Sequence, residues 1–120
     1  LQGMDIIVDA LDTISSRLLV SRVTRKLKIA LVHGAIAGFT GQVTTLLADD
    51  IGLEKLYKVS AGSDKGIELS LGNPAATPSL AAAIQAQEVV KLVTGIGEVL
   101  HKKLFYFDTE LNIFEVYELY

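Results

Sequence analysis

The chain has 120 residues, half of them hydrophobic, with a mean hydropathy of +0.41 and a formal net charge of −3. This length and apolar content predict one globular domain over residues 1–120 and argue against a disordered chain. The acidic balance, with no basic stripe, excludes a nucleic-acid-binding protein, and no apolar run is long enough to span a membrane. We therefore expect neither nucleic acid nor membrane among its partners.

Cysteine is absent from the sequence. Its absence excludes disulfides, cysteine-based zinc sites and a thiol nucleophile, so no zinc is expected. It also fits a reducing compartment, and with no visible signal peptide we expect a cytoplasmic location. The chain begins at Leu1 and enters an apolar segment almost at once, which suggests the C-terminal part of a longer protein.

The first predicted element is a short apolar strand at residues 5–10, of the kind found buried on both faces of a parallel sheet. Ligands of open α/β sheets bind at the carboxyl ends of such strands, beside the N-terminus of the next helix. Asp12 and Thr13 stand at this junction. A carboxylate here can hold a hydrated cation that bridges phosphates. The alternative is that Asp12 only caps the helix.

A helix is predicted at residues 14–27, because apolar residues recur at helical spacing. Its expected buried face comprises Ile14, Leu18, Leu19, Val23 and Leu27, and its expected wet face Arg17, Arg22, Arg25 and Lys26. Arg17 lies one turn into the helix. It is expected either to brace the carboxylate of Asp12 or to lie in solvent, where ion pairs are weak.

Two further strands follow at residues 29–36 and 42–48. The first is expected to be parallel to the opening strand, and the short turn between the two requires an antiparallel pair. His33 ends a buried run beside Gly34, which favours a hydrogen-bonded core histidine over a catalytic base. His101 is expected at the surface.

Residues 49–73 form a long glycine-containing connection, with one short helical turn expected around Leu53. Connections of this length are usually functional or mobile, so a surface crossover loop is expected. A helix at residues 77–94 follows, with Thr77 as N-cap, Pro78 in its first position and Gly95 as C-cap. Strands at 103–108 and 113–118 then form a hairpin, the second an edge strand with one wetter face.

These elements, taken together with three motifs, resemble the ThiF/MoeB/HesA family of adenylate-forming enzymes. The family has a strand ending in D-x-x-D-N with an Arg four residues later, matched here by Asp9, Asp12, Thr13 and Arg17. It then has a strand leading to G-Q-V, matched at residues 41–43, and a late helix matched by Gln85, Ala86, Gln87, Glu88, Lys91 and Gly95. The resemblance implies an α/β, Rossmann-like, three-layer fragment whose mixed sheet has parallel strands first and antiparallel strands at the C-terminal end.

The resemblance also implies an activity. The family uses ATP and magnesium to adenylate the C-terminal glycine of a ubiquitin-like sulfur-carrier protein, in thiamine, molybdopterin or related sulfur-transfer pathways. By position, Asp12 would be the catalytic, magnesium-binding aspartate. Leu11, Asp12 and Thr13 would line the nucleotide, and Arg17 would support them. The family also forms dimers, and a homodimer is expected here.

Two departures from the family pattern leave an alternative open. Thr13 stands where the family usually has Asn, and residues 49–73 lack the cysteines that many members carry there. The first interpretation is the C-terminal half of an adenylyltransferase that is inactive as an isolated fragment. The second is a non-catalytic, cysteine-free family member that docks a ubiquitin-like or partner protein.

Overall fold

The computed structural model describes residues 1–57 and 72–120. In chain order the elements are β1 (Ile6–Val8), α1 (Ile14–Leu27), β2 (Ala30–Ala37), β3 (Thr40–Leu46), α2 (Leu53–Leu56), α3 (Ala76–Thr94), β4 (Lys103–Asp108) and β5 (Ile113–Glu118). The strands form one five-stranded sheet in the order β1-β2-β3-β4-β5. β1 is parallel to β2, and the remaining neighbours are antiparallel. The expected mixed α/β sheet is confirmed.

Helices cover both faces of this sheet. Successive strand residues point to opposite faces, and Leu31 and Val32 of β2 do so here. Val32 joins a buried cluster with Ala81 of α3, whereas Leu31 joins a second cluster with Leu53 of α2 and, at its margin, Leu18 of α1. α3 therefore packs on one face and α1 with α2 on the other, which gives the expected three layers.

Several predicted boundaries are confirmed, including those of α1, β4 and β5. Gly95 ends α3 with φ +73°, a left-handed conformation that glycine adopts without steric cost. β3 begins two residues earlier than predicted, because a tight turn at Gly38 pairs Ala37 directly with Thr40. β1 is shorter than predicted and ends at Val8, one residue before the buried Asp9.

The start of α3 differs from the prediction. Ala75 is the N-cap and the helix begins at Ala76, so the assignment of Thr77 as N-cap was wrong. Thr77 is buried, and its backbone N–H donates to the Pro74 carbonyl at 3.0 Å. Pro78 still falls within the first turn, where backbone N–H groups have no partner inside the helix, so proline is tolerated there.

The face that α1 presents to the sheet is more polar than the periodicity predicted. Arg17, Ser21 and Thr24 are buried, whereas Leu19 is 55% exposed. The placement of Arg17 on the wet face, and of Leu19 on the buried face, was therefore wrong. The polar residues of α1 can be buried because their side chains form hydrogen bonds with backbone groups. Ser21 Oγ, for example, accepts a hydrogen bond from the Leu53 backbone N–H at 3.0 Å.

The two edges of the sheet are open among the described residues. All six residues of β5 are exposed, so both of its faces are open and the predicted single wetter face was wrong. β1 lies at the other edge, and Val8 is 46% exposed, so burial on both faces was also wrong for this strand. The predicted helical turn near Leu53 is present as α2, and residues 58–71 of the expected crossover loop lie outside the described residues.

None of the helices in the described part of the chain combines the length and the apolar character needed to cross a membrane.

Candidate functional site

A cleft of about 470 Å³ opens where β1 ends and β2 approaches its own carboxyl end. One wall is the segment at residues 9–12, and the opposite wall is the N-terminal half of α3, including Pro78, Ala82 and Gln85. Residues 34–36 of β2 line it as well. Small-molecule sites commonly have volumes of about 300–1,000 Å³, and this is the position where open α/β sheets bind ligands.

Asp12 lines this cleft and is exposed. The N-cap of α1 is Thr13, whose side-chain oxygen accepts a hydrogen bond from the Ser16 backbone N–H at 3.3 Å. Thr13 therefore occupies the N-cap position that the alternative gave to Asp12. Asp12 precedes the cap and lies on the cleft wall.

Arg17 is buried and holds the segment before Asp12. Its Nη2 donates a hydrogen bond to the Leu11 carbonyl oxygen at 2.6 Å, and its Nε lies 3.8 Å from Asp9 Oδ2. Leu11 and Arg17 both line the cleft. The expectation that Arg17 lies in solvent was wrong, and its contact with Leu11 constrains the residue directly before Asp12.

Asp9 holds the same segment from the other side. It is only 2% exposed, and its Oδ1 accepts a hydrogen bond from the Leu11 N–H at 2.9 Å. Leu11 is thus held at both its backbone N–H and its backbone C=O by buried side chains. We call residues 10–12 the cleft turn. Asp9 and Arg17 fix its conformation by hydrogen bonds, which favours one orientation of Asp12 over the many open to an unrestrained loop.

His33 lies directly behind Asp9. Its side chain is fully buried, and Nδ1 lies 2.6 Å from Asp9 Oδ2. Burial lowers the pKa of His33, although the hydrogen bond to Asp9 opposes this effect. A neutral imidazole that donates from Nδ1 leaves Nε2 as an acceptor, and the Tyr57 hydroxyl lies 3.0 Å from it. The predicted hydrogen-bonded core histidine is confirmed.

Gln85 is a site residue that the sequence did not single out for this role. Its Nε2 donates to the carbonyl oxygens of Asp9 at 2.9 Å and Val32 at 3.3 Å. A Cβ atom at Gly34 would lie 2.4 Å from Gln85 Cδ, so only glycine leaves room for this side chain. A glycine inside an apolar strand was the available signal, because it often marks a close approach by a neighbouring group.

A second polar group lies away from the cleft. Ligand atoms of Asp49, Asp50 and His101 lie within 4.8 Å of one another. Asp50 is buried, and its two oxygens bind the Leu47 N–H at 2.6 Å and His101 Nε2 at 2.9 Å. These bonds give Asp50 a structural role. The His101 side chain beside it is 29% exposed, so it lies partly at the surface, as expected.

Curated relatives match nearly the whole chain. The SAMP-activating enzyme E1 of Haloferax volcanii is 35% identical over 114 residues, which are 94% of this chain and 42% of that protein. The adenylyltransferase and sulfurtransferase MOCS3-1 of Zea mays is 30% identical over 112 residues, which are 87% of this chain and 23% of that protein. The chain thus spans less than half the length of these relatives.

Two solved structures share the fold. PaaA superposes with a TM-score of 0.72 over 99% of this chain and 43% of its own, at 17% identity. A heterocyclase in complex with substrate and cofactor superposes with a TM-score of 0.69 over 92% of this chain and 18% of its own, at 7% identity. The sequence model of the ThiF family matches residues 1–119. The chain therefore belongs to the ThiF family.

Proposed function

We propose that this chain is the C-terminal half of an adenylyltransferase that activates the C-terminal glycine of a ubiquitin-like sulfur-carrier protein with ATP. The reaction joins the glycine carboxylate to the α-phosphate of ATP and releases pyrophosphate. The observation that carries the proposal is the placement of Asp12 on a cleft of about 470 Å³ at the carboxyl ends of β1 and β2. The names of the two curated relatives support the same class of reaction.

The donor set of the cleft fits magnesium bound together with substrate phosphates. Mg²⁺ is usually held by one or two carboxylates, with phosphate and water oxygens completing its shell. Asp12 supplies one carboxylate on the cleft wall. Asp9 is 2% exposed and its oxygens are bound by the Leu11 N–H and by His33, so we assign the ion to Asp12. When bound, the ion would neutralise phosphate charge as negative charge develops in the reaction.

In this proposal the residues of this chain orient the bound groups and form no covalent bond with them. Arg17 and Asp9 hold the cleft turn by the Leu11 backbone, so the carboxylate of Asp12 needs little reorganisation to meet its ligand. In this proposal Leu11 and Thr13 line the nucleotide, with Thr13 also capping α1. Arg17 is a positioning residue, because its buried guanidinium contacts the chain rather than the reacting atoms.

The remaining parts of the proposal concern the whole protein. Its carrier is a ubiquitin-like sulfur carrier, it works in the cytoplasm, and it assembles as a homodimer. The carrier serves a thiamine, molybdopterin or related sulfur-transfer pathway.

Pyrophosphate exchange on the full-length protein tests the proposal. With carrier, ATP and magnesium present, Asp12→Asn should lower the exchange rate by at least about a hundredfold, the scale seen when one electrostatic group of an active site is removed. Asp5→Asn is the matched control, because Asp5 is an exposed carboxylate ahead of β1, and it should keep the wild-type rate. Equal rates in both variants would overturn the assignment of Asp12.

The alternative function is that the protein docks a ubiquitin-like or partner protein without catalysing a reaction. It is favoured by the open faces of β5, where Phe114, Val116 and Tyr117 are exposed and available to a partner. A full-length protein that binds the carrier in calorimetry but shows no pyrophosphate exchange, with or without the Asp12 substitution, would support this second function instead.

A further inference from the structure

A continuous series of hydrogen bonds, fully buried between Asp9 and His33, connects the cleft turn to the end of α2. It begins at the Leu11 N–H, which donates to Asp9 Oδ1 at 2.9 Å, and continues from Asp9 Oδ2 to His33 Nδ1 at 2.6 Å. His33 Nε2 then meets the Tyr57 hydroxyl at 3.0 Å, and Gln42 Nε2 donates to that hydroxyl at 3.3 Å. Each link is within hydrogen-bond distance, so the series reaches from the cleft to the residue that follows α2.

The protonation states of His33 and Tyr57 decide which atom donates in each hydrogen bond of the series. Burial lowers the pKa of His33 and raises the pKa of Tyr57, so both are neutral near pH 7. The Tyr57 O–H therefore donates to Nε2, and the His33 Nδ1–H donates to Asp9. The rings of His33 and Tyr57 also pack edge to face, with centroids 5.6 Å apart and planes at 87°. This arrangement leaves little freedom to either side chain.

A core held together by hydrophobic packing alone would have no need for the buried side chains of His33 and Asp9. A buried histidine and a buried carboxylate each carry a desolvation cost that only hydrogen bonds offset, and a partly satisfied network is worse than an apolar core. His33 is held from both ends, by Asp9 and by Tyr57. If Tyr57 moves, Nε2 loses the shorter of its two contacts, the other being the Gln42 amide nitrogen at 3.5 Å, and the ring that holds Asp9 is less firmly restrained.

We propose that His33 and Tyr57 are positioning residues for the cleft turn, so that the placement of Tyr57 at the end of α2 determines how firmly Asp12 is presented to the cleft. Tyr57 directly follows α2 and is the last residue of the described range 1–57. A change at this end of α2 is thereby transmitted to the cleft through His33 and Asp9, and Tyr57 also interacts with Arg17, which holds the Leu11 carbonyl. The inference concerns the turn itself and holds whether or not the cleft binds nucleotide.

Amide hydrogen exchange measured by NMR on the 120-residue chain tests the proposal. Tyr57→Phe removes only the hydroxyl, and it should speed exchange of the Leu11 amide by about threefold or more, the scale of one net hydrogen bond. The amide of Val43, in the middle strand of the sheet, should keep its rate. Tyr117→Phe is the matched control, because it removes a hydroxyl on the exposed strand β5 and should change neither amide.

Two further measurements separate positioning from general stability. The ¹⁵N shift of His33 Nε2 should move in Tyr57→Phe, while Nδ1 stays protonated. In a His33→Asn background, Tyr57→Phe should accelerate Leu11 exchange less than in the original chain, because the route through His33 is gone and only the contact of Tyr57 with Arg17 remains. An unchanged Leu11 rate in Tyr57→Phe, equal acceleration at Leu11 and Val43, or the same effect in the His33→Asn background would each overturn the inference.

Discussion

Gln85 in α3 donates a hydrogen bond from Nε2 to the backbone carbonyl of Asp9 at 2.9 Å, across 76 positions of sequence. The bond joins the helix on one wall of the cleft to the end of the strand on the other wall. Gly34 makes it possible, because any larger residue would meet the Gln85 side chain. A buried side chain therefore links the two walls of the cleft.

Replacing Gln85 should both destabilise the fold and loosen the cleft. Gln85→Leu removes the hydrogen bonds to the carbonyls of Asp9 and Val32, and we expect the free energy of unfolding to fall by about 2 kcal/mol. Gln87→Leu is the matched control on the exposed side of α3, with an expected change within about 0.5 kcal/mol. Urea unfolding followed by circular dichroism measures both. Equal losses in the two variants would contradict the role assigned to Gln85.

Arg17 should matter far more to stability than its neighbours on α1. Arg17→Met removes the donor to Leu11 and leaves the buried carboxylate of Asp9 without a nearby cation, with an expected loss of about 3 kcal/mol. Arg22→Met should cost about 0.5 kcal/mol or less, because Arg22 is exposed and its nearest carboxylate oxygen, on Glu54, is 3.9 Å away. Unfolding midpoints in urea give the comparison, and similar losses would refute the buried role of Arg17.

Stability should fall as the pH drops through the slightly acidic range. Burial lowers the pKa of His33 in the folded state, whereas the unfolded chain has the ordinary value of about 6.5. Below that value the unfolded state binds a proton that the folded state does not. The contribution of His33 is therefore fully present above about pH 7.5 and is lost as pH falls below about 6.5, with a slope of at most about 1.4 kcal/mol per pH unit.

Urea unfolding between pH 8 and pH 5.5 measures this dependence. His33→Asn should flatten the slope, because Asn does not titrate yet still offers an N–H to Asp9. A slope that survives in His33→Asn would show that another group is responsible.

The 120 residues alone should bind Mg-ATP weakly. They span 42% of the length of the Haloferax relative, and we propose that further residues of the full-length protein complete the nucleotide site. Isothermal calorimetry should give a dissociation constant well above micromolar for the 120-residue chain. Micromolar binding that is lost in Asp12→Asn would show instead that this chain holds a complete site.

The edge strand β1 should promote self-association. None of the described residues pairs with its outer edge, which can accept another strand, and exposed apolar residues beside it, including Met4 and Val8, add to the driving force. Light scattering at high concentration should detect dimers, and Val8→Lys should reduce them. Val116→Lys on the opposite edge is the control. A monomer at all concentrations, or an equal effect of both substitutions, would exclude β1 as the contact.

Local sequence signals predicted much of the fold. The bounds of α1, β4 and β5, the C-cap at Gly95 and the antiparallel pairing of β2 with β3 were predicted correctly. These features depend on hydrophobic periodicity and on turn chemistry, which act over a few residues. The N-cap of α3 was misplaced at Thr77, because the observed N-cap is Ala75, two residues earlier, where no strong cap signal exists.

The candidate site was predicted only in part. The position of Asp12 at the end of an apolar strand follows from a general rule about α/β sheets, and it required no knowledge of distant residues. The burial of Arg17 was missed, because an arginine one turn into an amphipathic helix usually points to solvent. Its burial depends on Asp9 and Leu11, whose positions relative to α1 are set by how the strand enters the sheet.

The sequence by itself determined the order of strands and helices and the placement of Asp12 where β1 passes into α1, because both depend on neighbouring residues. Only the tertiary structure decided which side chains hold that turn. His33, Tyr57 and Gln85 reach it from β2, from the end of α2 and from α3, and the physical reason is that buried polar groups must find hydrogen-bond partners wherever the fold places them.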